Sequence, residues 1–362
     1  MAGRVLIGLS GGVDSTLAAI LLKEQGYEVI GASMSIYNAD IPNLLSSGNA
    51  CYGAVEKPEI KDIALLGEKI GIKTYKFDCS EEYKKTILSY FKDAYSKGIT
   101  PNPCVMCNAI MKFGLLCDKA VEEGIAFDYF ATGHYVQKSE LNGRIVLKKG
   151  VDEKKDQSYF LYRLSQEQLK KVIFPLGGMT KEKVRLLAKE KGLDVADKAD
   201  SQDFYAGDYA DLLQFKDKDG IIMHVNGTVL GHHKGYWHYT VGQRKGLGVS
   251  YKEPLFVLDV DADKNIVYVG TASDMNVKEC FVSDLNWLAF ENLSSSIKAM
   301  AKQRSTAKPV SVLIEPLDGK VRVIFDEPQK SVTAGQSMVF YDGDIVLGGG
   351  IIEKNVKALQ KI

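Results

Sequence analysis

Val5-Leu-Ile-Gly-Leu-Ser-Gly-Gly-Val-Asp-Ser15 is the stretch that decides the fold. The apolar run Val5–Leu9 predicts a buried strand. Leu17, Ile20 and Leu21 share one face of a helix expected over Ser15–Gln25, with Gly26 at its C-terminal cap. Between strand and helix stand two glycines flanked by two serines. Glycines let the backbone turn tightly and bring bare N–H groups to a ligand, and the helix N-terminus behind them carries partial positive charge. Such a loop suits phosphate oxygens. No Gly-Lys-Ser/Thr closes it, so it is not a Walker loop. A pyrophosphate-holding loop without that lysine suits cleavage of ATP to AMP and pyrophosphate. The bland alternative is a glycine-rich turn with no ligand, and the strand–loop–helix context argues against it.

Working outward, strands and helices alternate. Tyr27–Met34 reads as a second strand, and 36–57 as a long polar loop. Glu59–Ile70 reads as a helix, Lys73–Phe77 as a strand, Glu81–Ser96 and Asn108–Glu123 as helices, and Tyr129–Thr132 as a strand ending in Gly133-His134. The pattern is an α/β doubly wound parallel sheet. Ligands of such sheets bind at the carboxyl ends of strands, so the loops after Leu9, Met34, Phe77 and Thr132 should share one crevice. From about 163 the chain reads as helical, with Thr180 capping a helix whose apolar face is Val184, Leu187 and Ala188. From about 221 short alternating strands run to the end, Ile221–Val225, Leu255–Asp259, Ile266–Val269, Val310–Ile314, Val321–Phe325 and Ser337–Tyr341 among them. The expected domains are 1–205, a pyrophosphate-loop domain with a helical extension; 206–275, a small central β-rich domain; and 276–362, an all-β barrel.

With 362 residues the chain is too long for one ordinary core, and 45% apolar with 25% charged residues is the balance of a globular protein. No apolar run is long enough to span a bilayer, and Met1-Ala-Gly-Arg4 leads straight into a strand, so neither membrane span nor signal peptide is expected. The expected location is cytoplasmic. Net charge is zero, so a nucleic-acid partner would need a local basic patch. Lys298, Lys302, Arg304 and Lys308 cluster, although each lysine alone reads as a solvated charge. Arg244-Lys245, set between glycines, is the exception.

Thr100-Pro-Asn-Pro-Cys-Val-Met-Cys-Asn108 is the second strong feature. Its prolines should exclude helix until Asn108, which puts Cys107 at a helix N-terminus, where the dipole favours thiolate. Three readings of Cys104 and Cys107 stay open: a redox or sulfur-carrying pair, ligands of zinc or an iron–sulfur cluster with Cys51 as a further ligand, or a structural turn. Cys79 is another candidate for the crevice, whereas Cys117 and Cys280 read as small buried hydrophobes. His232-His233 and His238, beside Trp237 and Tyr239, read as packing and hydrogen-bonding residues rather than a zinc site.

Gly8-Leu-Ser-Gly-Gly-Val-Asp-Ser15, Thr100-Pro-Asn-Pro with Cys107-Asn, Ala131-Thr-Gly-His-Tyr135, Lys155-Asp-Gln-Ser-Tyr159, Asp200-Ser-Gln-Asp203, Tyr239-Thr-Val-Gly-Gln-Arg-Lys-Gly-Leu-Gly248 and Val332-Thr-Ala-Gly-Gln336 with Leu347-Gly-Gly-Gly350 follow one another in family order. On these motifs the chain resembles the bacterial and mitochondrial tRNA-specific 2-thiouridylases, N-type ATP pyrophosphatases. The resemblance implies ATP-dependent replacement of the C2 oxygen of the anticodon wobble uridine by sulfur, through an adenylated intermediate. It implies a pyrophosphatase domain, a small central domain and a C-terminal β-barrel.

Carried over residue by residue, ATP would meet Gly8, Leu9, Ser10, Gly11, Gly12, Val13, Asp14, Ser15, Met34 and Gly133, with Mg²⁺ on the phosphates and Asp14 nearby. Asn102, Pro103 and Cys104 would meet the target base, and Cys107 matches the nucleophile. Lys155, Asp156, Gln157, Arg304, Ser305 and Gln336 match tRNA contacts, and His134 matches a position for tRNA handling; Arg244 and Lys245 join them from the patch above. The implied partners are tRNA and a sulfur donor, either a persulfide carrier protein or free sulfide, with no membrane and a monomer or weak dimer.

Two departures matter. Tyr205 stands where the family commonly has a second, persulfide-delivering cysteine, and Cys104 stands where many members have Asp. Either Cys51 or Cys104 replaces the missing sulfur carrier, with Cys104, Cys107 and Asp14 as the catalytic set, or Cys51, Cys104 and Cys107 hold a [4Fe-4S] cluster. Two other classes compete: a ligase or amidotransferase acting on a small molecule, which needs neither Cys107 nor the barrel, and a non-catalytic tRNA-binding or sulfur-trafficking homologue.

Overall fold

Strand β1 (Arg4–Gly8) is the fixed point of the N-terminal region. Val5, Leu6 and Ile7 are wholly buried, and because side chains alternate along a strand they feed two cores. Val5 and Ile7 pack with Leu17, Ala18 and Leu22 of helix α1 (Val13–Glu24), while Leu6 joins the core on the other face. With β2 (Glu28–Ser35), β3 (Lys73–Asp78), β4 (Tyr129–Ala131) and, beyond the hairpin β5 (Val136–Leu141) and β6 (Arg144–Lys149), β7 (Val172–Ile173), it forms a sheet in the order β3-β2-β1-β4-β7. Every pairing in it is parallel. The chain leaves β1 toward β2 on one side and returns to β4 on the other, so the carboxyl end of β1 is a topological switch point.

The computed structural model describes residues 2–37, 51–52, 63–193, 204–205, 207 and 209–354. Asp200-Ser-Gln-Asp203 and most of the loop over 36–57 lie outside them. Helix α2 (Ile63–Ile70) is followed by α3 over 80–96 and α4 over 103–122, both carrying wide π-type stretches, Lys84–Leu88 and Cys107–Leu115. Helices α5 (Gln166–Lys171), α6 (Lys181–Glu190) and α7 (Tyr209–Leu213) follow. Thr180 caps α6 as expected, its hydroxyl accepting from Lys183 N at 3.3 Å.

The hairpin β5–β6 has no counterpart in the sequence reading. Its turn, Asn142-Gly143, has positive φ at both residues (49° and 76°), the geometry that matches strand twist in a two-residue hairpin. Strand β6 pairs with the C-terminal barrel through Lys148 and Ile345.

The central sheet runs β10-β11-β8-β9, from β8 (Gly220–His224), β9 (Val229–His233), β10 (Phe256–Asp261) and β11 (Ile266–Gly270). The barrel is β12 (Val277–Trp287), β13 (Ile297–Lys302), β14 (Val310–Leu317), β15 (Lys320–Gln329), β16 (Ser337–Asp342) and β17 (Ile345–Ile352), ordered β12-β15-β14-β13-β16-β17 and closed by β17 pairing back onto β12. Closure leaves no exposed edge within the barrel. Both regions grip the segment between α3 and α4. Tyr236 Oη donates to Ser96 O at 2.8 Å and Thr100 N donates to Ala334 O at 3.1 Å; the barrel also holds the turn over Ser158–Leu161, where Tyr159 Oη donates to Ser337 O at 2.9 Å. Among the described residues no helix is long and apolar enough to cross a membrane.

Candidate active site

The glycine loop forms at the carboxyl end of β1. Gly11 takes a positive φ of 73°, which a side chain would strain, and Gly12 is the N-cap of α1 with no side chain capping the helix. Helix geometry leaves the first N–H groups of α1 without partners inside the helix, so they face outward as a ready anion cradle. Ser15 Oγ accepts from Ser10 N and donates to Gly12 O, both at 3.2 Å, which fixes the loop's shape. Gly133 closes the cradle from behind. A Cβ there would lie 2.8 Å from both the Asp14 carbonyl carbon and the Ser15 nitrogen, so only glycine lets the end of β4 press on the start of α1. Met34 is half-buried at the end of β2.

Asp14 has two partners that the sequence does not reveal. Tyr135 Oη donates to Oδ1 at 2.7 Å, and Lys181 Nζ lies 2.8 Å from each carboxylate oxygen. Lys181 opens α6, is only 6% exposed, and stands 167 residues along the chain from Asp14. Its one sequence signal is the Thr180 cap, which locates a helix start and says nothing of where that start docks.

The cysteine end departs from expectation. Helix α4 begins at Pro103, with Asn102 as N-cap accepting from Val105 N at 3.3 Å. The prolines do not delay the helix to Asn108. Proline at the first helical position loses an N–H that has no partner anyway, and its fixed φ suits helix. Cys107 therefore sits past the first turn, away from the dipole's positive end. Burial pushes its thiol up to about 11, offset in part by Lys112. The expected thiolate is replaced by a neutral thiol at rest.

Cys104 and Cys107, three apart, share a helix face. Cys51 is near enough for its charge to be felt at Cys107, and the buried Tyr83 phenol feels all three cysteines, although burial dominates its upward shift. Backbone and ring contacts place residue 51 independently. Tyr52 N donates to Phe204 O at 3.0 Å, and the Tyr52 ring stacks on Tyr83 (5.4 Å) and Phe204 (6.3 Å). Cys51 thus lies beside the segment that carries Tyr205. Tyr205 itself is 3% exposed, its hydroxyl on Asp211 Oδ2 at 3.1 Å.

Among the described residues no three His, Cys, Asp or Glu group as a metal site, so Cys51, Cys104 and Cys107 as placed do not fit a [4Fe-4S] cluster. Cys79 is fully buried and pushed up to about 11, so it does not open into the crevice as expected. Cys117 and Cys280, pushed up to about 12 by burial, pack as small hydrophobes.

The residues matched to tRNA separate into two groups. Gln336 reaches from the barrel to the Asn102 loop, donating to Thr100 O and Pro101 O at 3.0 Å. Gln157 Oε1 accepts from Tyr135 N at 2.9 Å, and Asp156 accepts from Gly150 N, Ser158 N and Ser158 Oγ, so both shape the loop around Lys155. His134 shares a 2.8 Å hydrogen bond with Thr132 Oγ1, and burial pushes it down to about 3, so its ring is neutral. Arg244, Lys245 and Arg304 are exposed, and Ser305 is half-buried beside the last.

Comparison with known proteins decides the family. Family models match end to end: a tRNA methyl transferase HUP domain over residues 3–205, a tRNA methyl transferase PRC-barrel domain over 212–271 and an aminomethyltransferase β-barrel domain over 277–352. A tRNA-specific 2-thiouridylase MnmA of Endomicrobium trichonymphae is 47% identical over 96% of this chain and 98% of that one. The chain belongs to the tRNA-specific 2-thiouridylase family. Another relative, tRNA-specific 2-thiouridylase MnmA 1 of Caldanaerobacter subterraneus subsp. tengcongensis, is 48% identical over 98% of this chain and 99% of that one. A solved 4-thiouridine synthetase–RNA complex with bound ATP is 15% identical at a TM-score of 0.35, covering 54% of this chain and 43% of that one, too little to argue from. Residues 8–15, which form the glycine loop, and Tyr205 both fall within the span matched by the HUP-domain model.

Proposed function

We propose that this chain is a tRNA-uridine 2-sulfurtransferase that activates the wobble uridine with ATP and delivers sulfur through a thiol set made of Cys107, Cys104 and Cys51. The observation that carries it is the joining of an uncapped glycine loop and a Cys-x-x-Cys helix by one strand: Phe113 of α4 packs edge-on against Phe130 of β4 at 5.3 Å, and Gly133, just past β4, abuts the loop. The family models' descriptions speak of methyl transfer; a pyrophosphate loop beside thiols fits adenylation and sulfur transfer, as the relatives' names do.

The N–H groups at the start of α1 bind phosphate oxygens, and Asp14 is the residue that would hold Mg²⁺. That ion supplies charge neutralisation on the phosphates. The uridine must leave its stack to expose C2, and the half-buried Asn102 at the start of α4 would meet it, whereas Pro103 is buried. Its C2 oxygen attacks the α-phosphorus, the bond to pyrophosphate breaks, and pyrophosphate leaves from the cradle. Cys107, loaded as a persulfide by a sulfur donor, attacks C2 with its terminal sulfur, and AMP departs with the former oxygen. A second thiol, Cys51 or Cys104, then attacks the Cys107 sulfur. The persulfide S–S bond breaks, 2-thiouridine is released, and the protein disulfide is reduced by an external dithiol. Burial keeps the resting Cys107 thiol protonated, so it must lose its proton to take sulfur from the donor.

Cys51 is favoured as the second thiol because Tyr52 ties it to Phe204, next to the position the family's cysteine commonly occupies. The test is 2-thiouridine formation from purified chain, Mg·ATP, a persulfide donor, a dithiol and unmodified tRNA. Cys51→Ser is expected to stop after one turnover, and Cys51→Ser combined with Tyr205→Cys to turn over again. Full turnover by Cys51→Ser sinks the relay through Cys51. Absence of any 2-thiouridine from the unaltered chain sinks the thiolation reading, and loss of bound iron and visible absorption in Cys51→Ser after anaerobic reconstitution favours the cluster.

A further inference from the structure

We propose that Lys181 is the polyphosphate lysine of the ATP site, brought to the glycine loop from helix α6 in place of the lysine that the loop itself lacks. The proposal rests on ATP being the loop's ligand.

Four observations converge on it. The loop Ser10-Gly-Gly-Val-Asp-Ser15 contains no cation, yet it must hold a strongly anionic group. Lys181 Nζ stands 2.8 Å from both oxygens of Asp14, a residue of the first turn of α1. The pair is largely withdrawn from water, with side-chain exposures of 8% for the lysine and 27% for the aspartate, so the carboxylate side keeps an open approach while the ammonium is held in place. The Tyr135 ring lies 5.6 Å from the ammonium, and its hydroxyl fixes Asp14, so the lysine's direction is set from two sides.

Packing alone does not account for this pair. Val184 and Ala188 of α6 already bury against Leu17 and Ala18 of α1 in one apolar core. A buried ion pair is seldom more stabilising than apolar groups of the same shape. An ammonium also sits poorly at a helix N-terminus, where the macrodipole is positive, and here it faces the start of α1 from the start of α6. An arriving polyphosphate resolves the conflict. Its oxygens would satisfy the helix N–H groups and the ammonium together, which would leave Asp14 available to hold Mg²⁺, whose charge would offset that of the phosphates. Lys181 would then offset charge on the departing pyrophosphate, so its contribution should be larger in the adenylation step than in ground-state binding.

The experiment measures equilibrium binding of Mg·ATP and of inorganic pyrophosphate to the full chain, together with pyrophosphate release in the presence of tRNA. Lys181→Met is expected to weaken pyrophosphate binding about 30-fold and slow its release about 100-fold or more, with Lys181→Arg restoring much of both. A purely structural lysine would lower the melting temperature and leave both readouts unchanged in the folded protein, which overturns the proposal. If Lys181→Met does not fold, the Asp14→Asn, Lys181→Met pair, which leaves no unpaired carboxylate, is compared with Asp14→Asn alone. Equal pyrophosphate affinities then overturn the proposal, and weaker binding without the lysine supports it. If the unaltered chain makes no 2-thiouridine yet binds pyrophosphate through Lys181, the thiolation reading falls and the lysine stands. Failure of the unaltered chain to bind either ligand overturns both.

Discussion

At the glycine loop, Asp14 and Lys181 form an ion pair although both are largely withdrawn from solvent, because each is the other's counter-charge at 2.8 Å. At the cysteine helix, burial acts on Cys107 with only Lys112 to oppose it, and the thiol is held neutral, pushed up to about 11. Desolvation is the same force in both places; the difference is whether an opposite charge is within contact distance. In the proposed reaction the first end would meet the anionic phosphates and the second would carry the sulfur.

Removing the nucleophile separates the two ends most sharply. Cys107→Ser should lower 2-thiouridine formation by about 1,000-fold or more, since a hydroxyl carries no persulfide, and should leave Mg·ATP binding intact. Mass spectrometry of digested tRNA and nucleotide binding on the same sample check it. Thiolation by the serine variant would break the assignment of the cysteine end.

Gly133→Ala strikes the opposite end. The new Cβ would meet main-chain atoms of Asp14 and Ser15 at 2.8 Å, and backbone cannot swing aside as a side-chain tip can. Overpacking of this kind costs about 1–3 kcal/mol, so Mg·ATP affinity should fall roughly tenfold or more if the strain is relieved at the loop. A variant that binds Mg·ATP as before would show that the cradle tolerates displacement and that its tight packing is incidental.

The pH dependence tests the electrostatic contrast directly. With Cys107 pushed up to about 11, its alkylation rate should rise about tenfold per pH unit from 7 to 9, without a plateau. A plateau near neutrality would mean a thiolate at rest. His134 gives the opposite sign. Its folded value is pushed down to about 3 from 6.5, so its contribution to stability is complete above 6.5 and is lost as pH falls toward 3. His134→Gln should therefore show a shallower loss of thermal stability than the unaltered chain between pH 6.5 and 4.

The difference between the ends also explains what is legible without coordinates. The glycine loop is contiguous, and its chemistry is carried by backbone, so Val5–Ser15 announces strand, loop and helix together. The start of the cysteine helix is misplaced from sequence because Pro103 reads as a barrier when it is the residue that opens the helix. Lys181 and Cys51 are illegible as partners, since each meets its site through packing between segments far apart in sequence. Cys51 is a candidate by its residue type alone, and Lys181 carries no such mark. The hairpin over 136–149 escapes the sequence reading although Asn142-Gly143 between alternating residues is a strong local signal, because its second strand pairs onward with a barrel that lies nearly 200 residues away.

The smallest effect concerns the surface that joins neither end. Arg244 and Lys245 are exposed, but the turn that bears them is held firmly. Gly242 N donates to Val257 O at 2.8 Å, Val257 N donates to Gln243 O at 2.9 Å, and the Gln243 side chain bridges Thr240 N and Lys245 O, both at 3.0 Å. A fixed turn holds its two charges at a set spacing, which suits phosphates on a folded RNA better than two independent surface cations would. Replacing both by alanine should weaken tRNA binding only a few-fold at moderate salt, and should reduce the slope of log affinity against log salt by about 0.7 for each phosphate no longer neutralised. Gln336→Ala provides the contrast. It breaks two hydrogen bonds to the Asn102 loop, so it should lower turnover and leave the salt slope alone. An unchanged slope in the Arg244, Lys245 variant would remove this turn from the RNA surface and shift the search for phosphate-binding cations to Arg304 and its neighbours on the barrel.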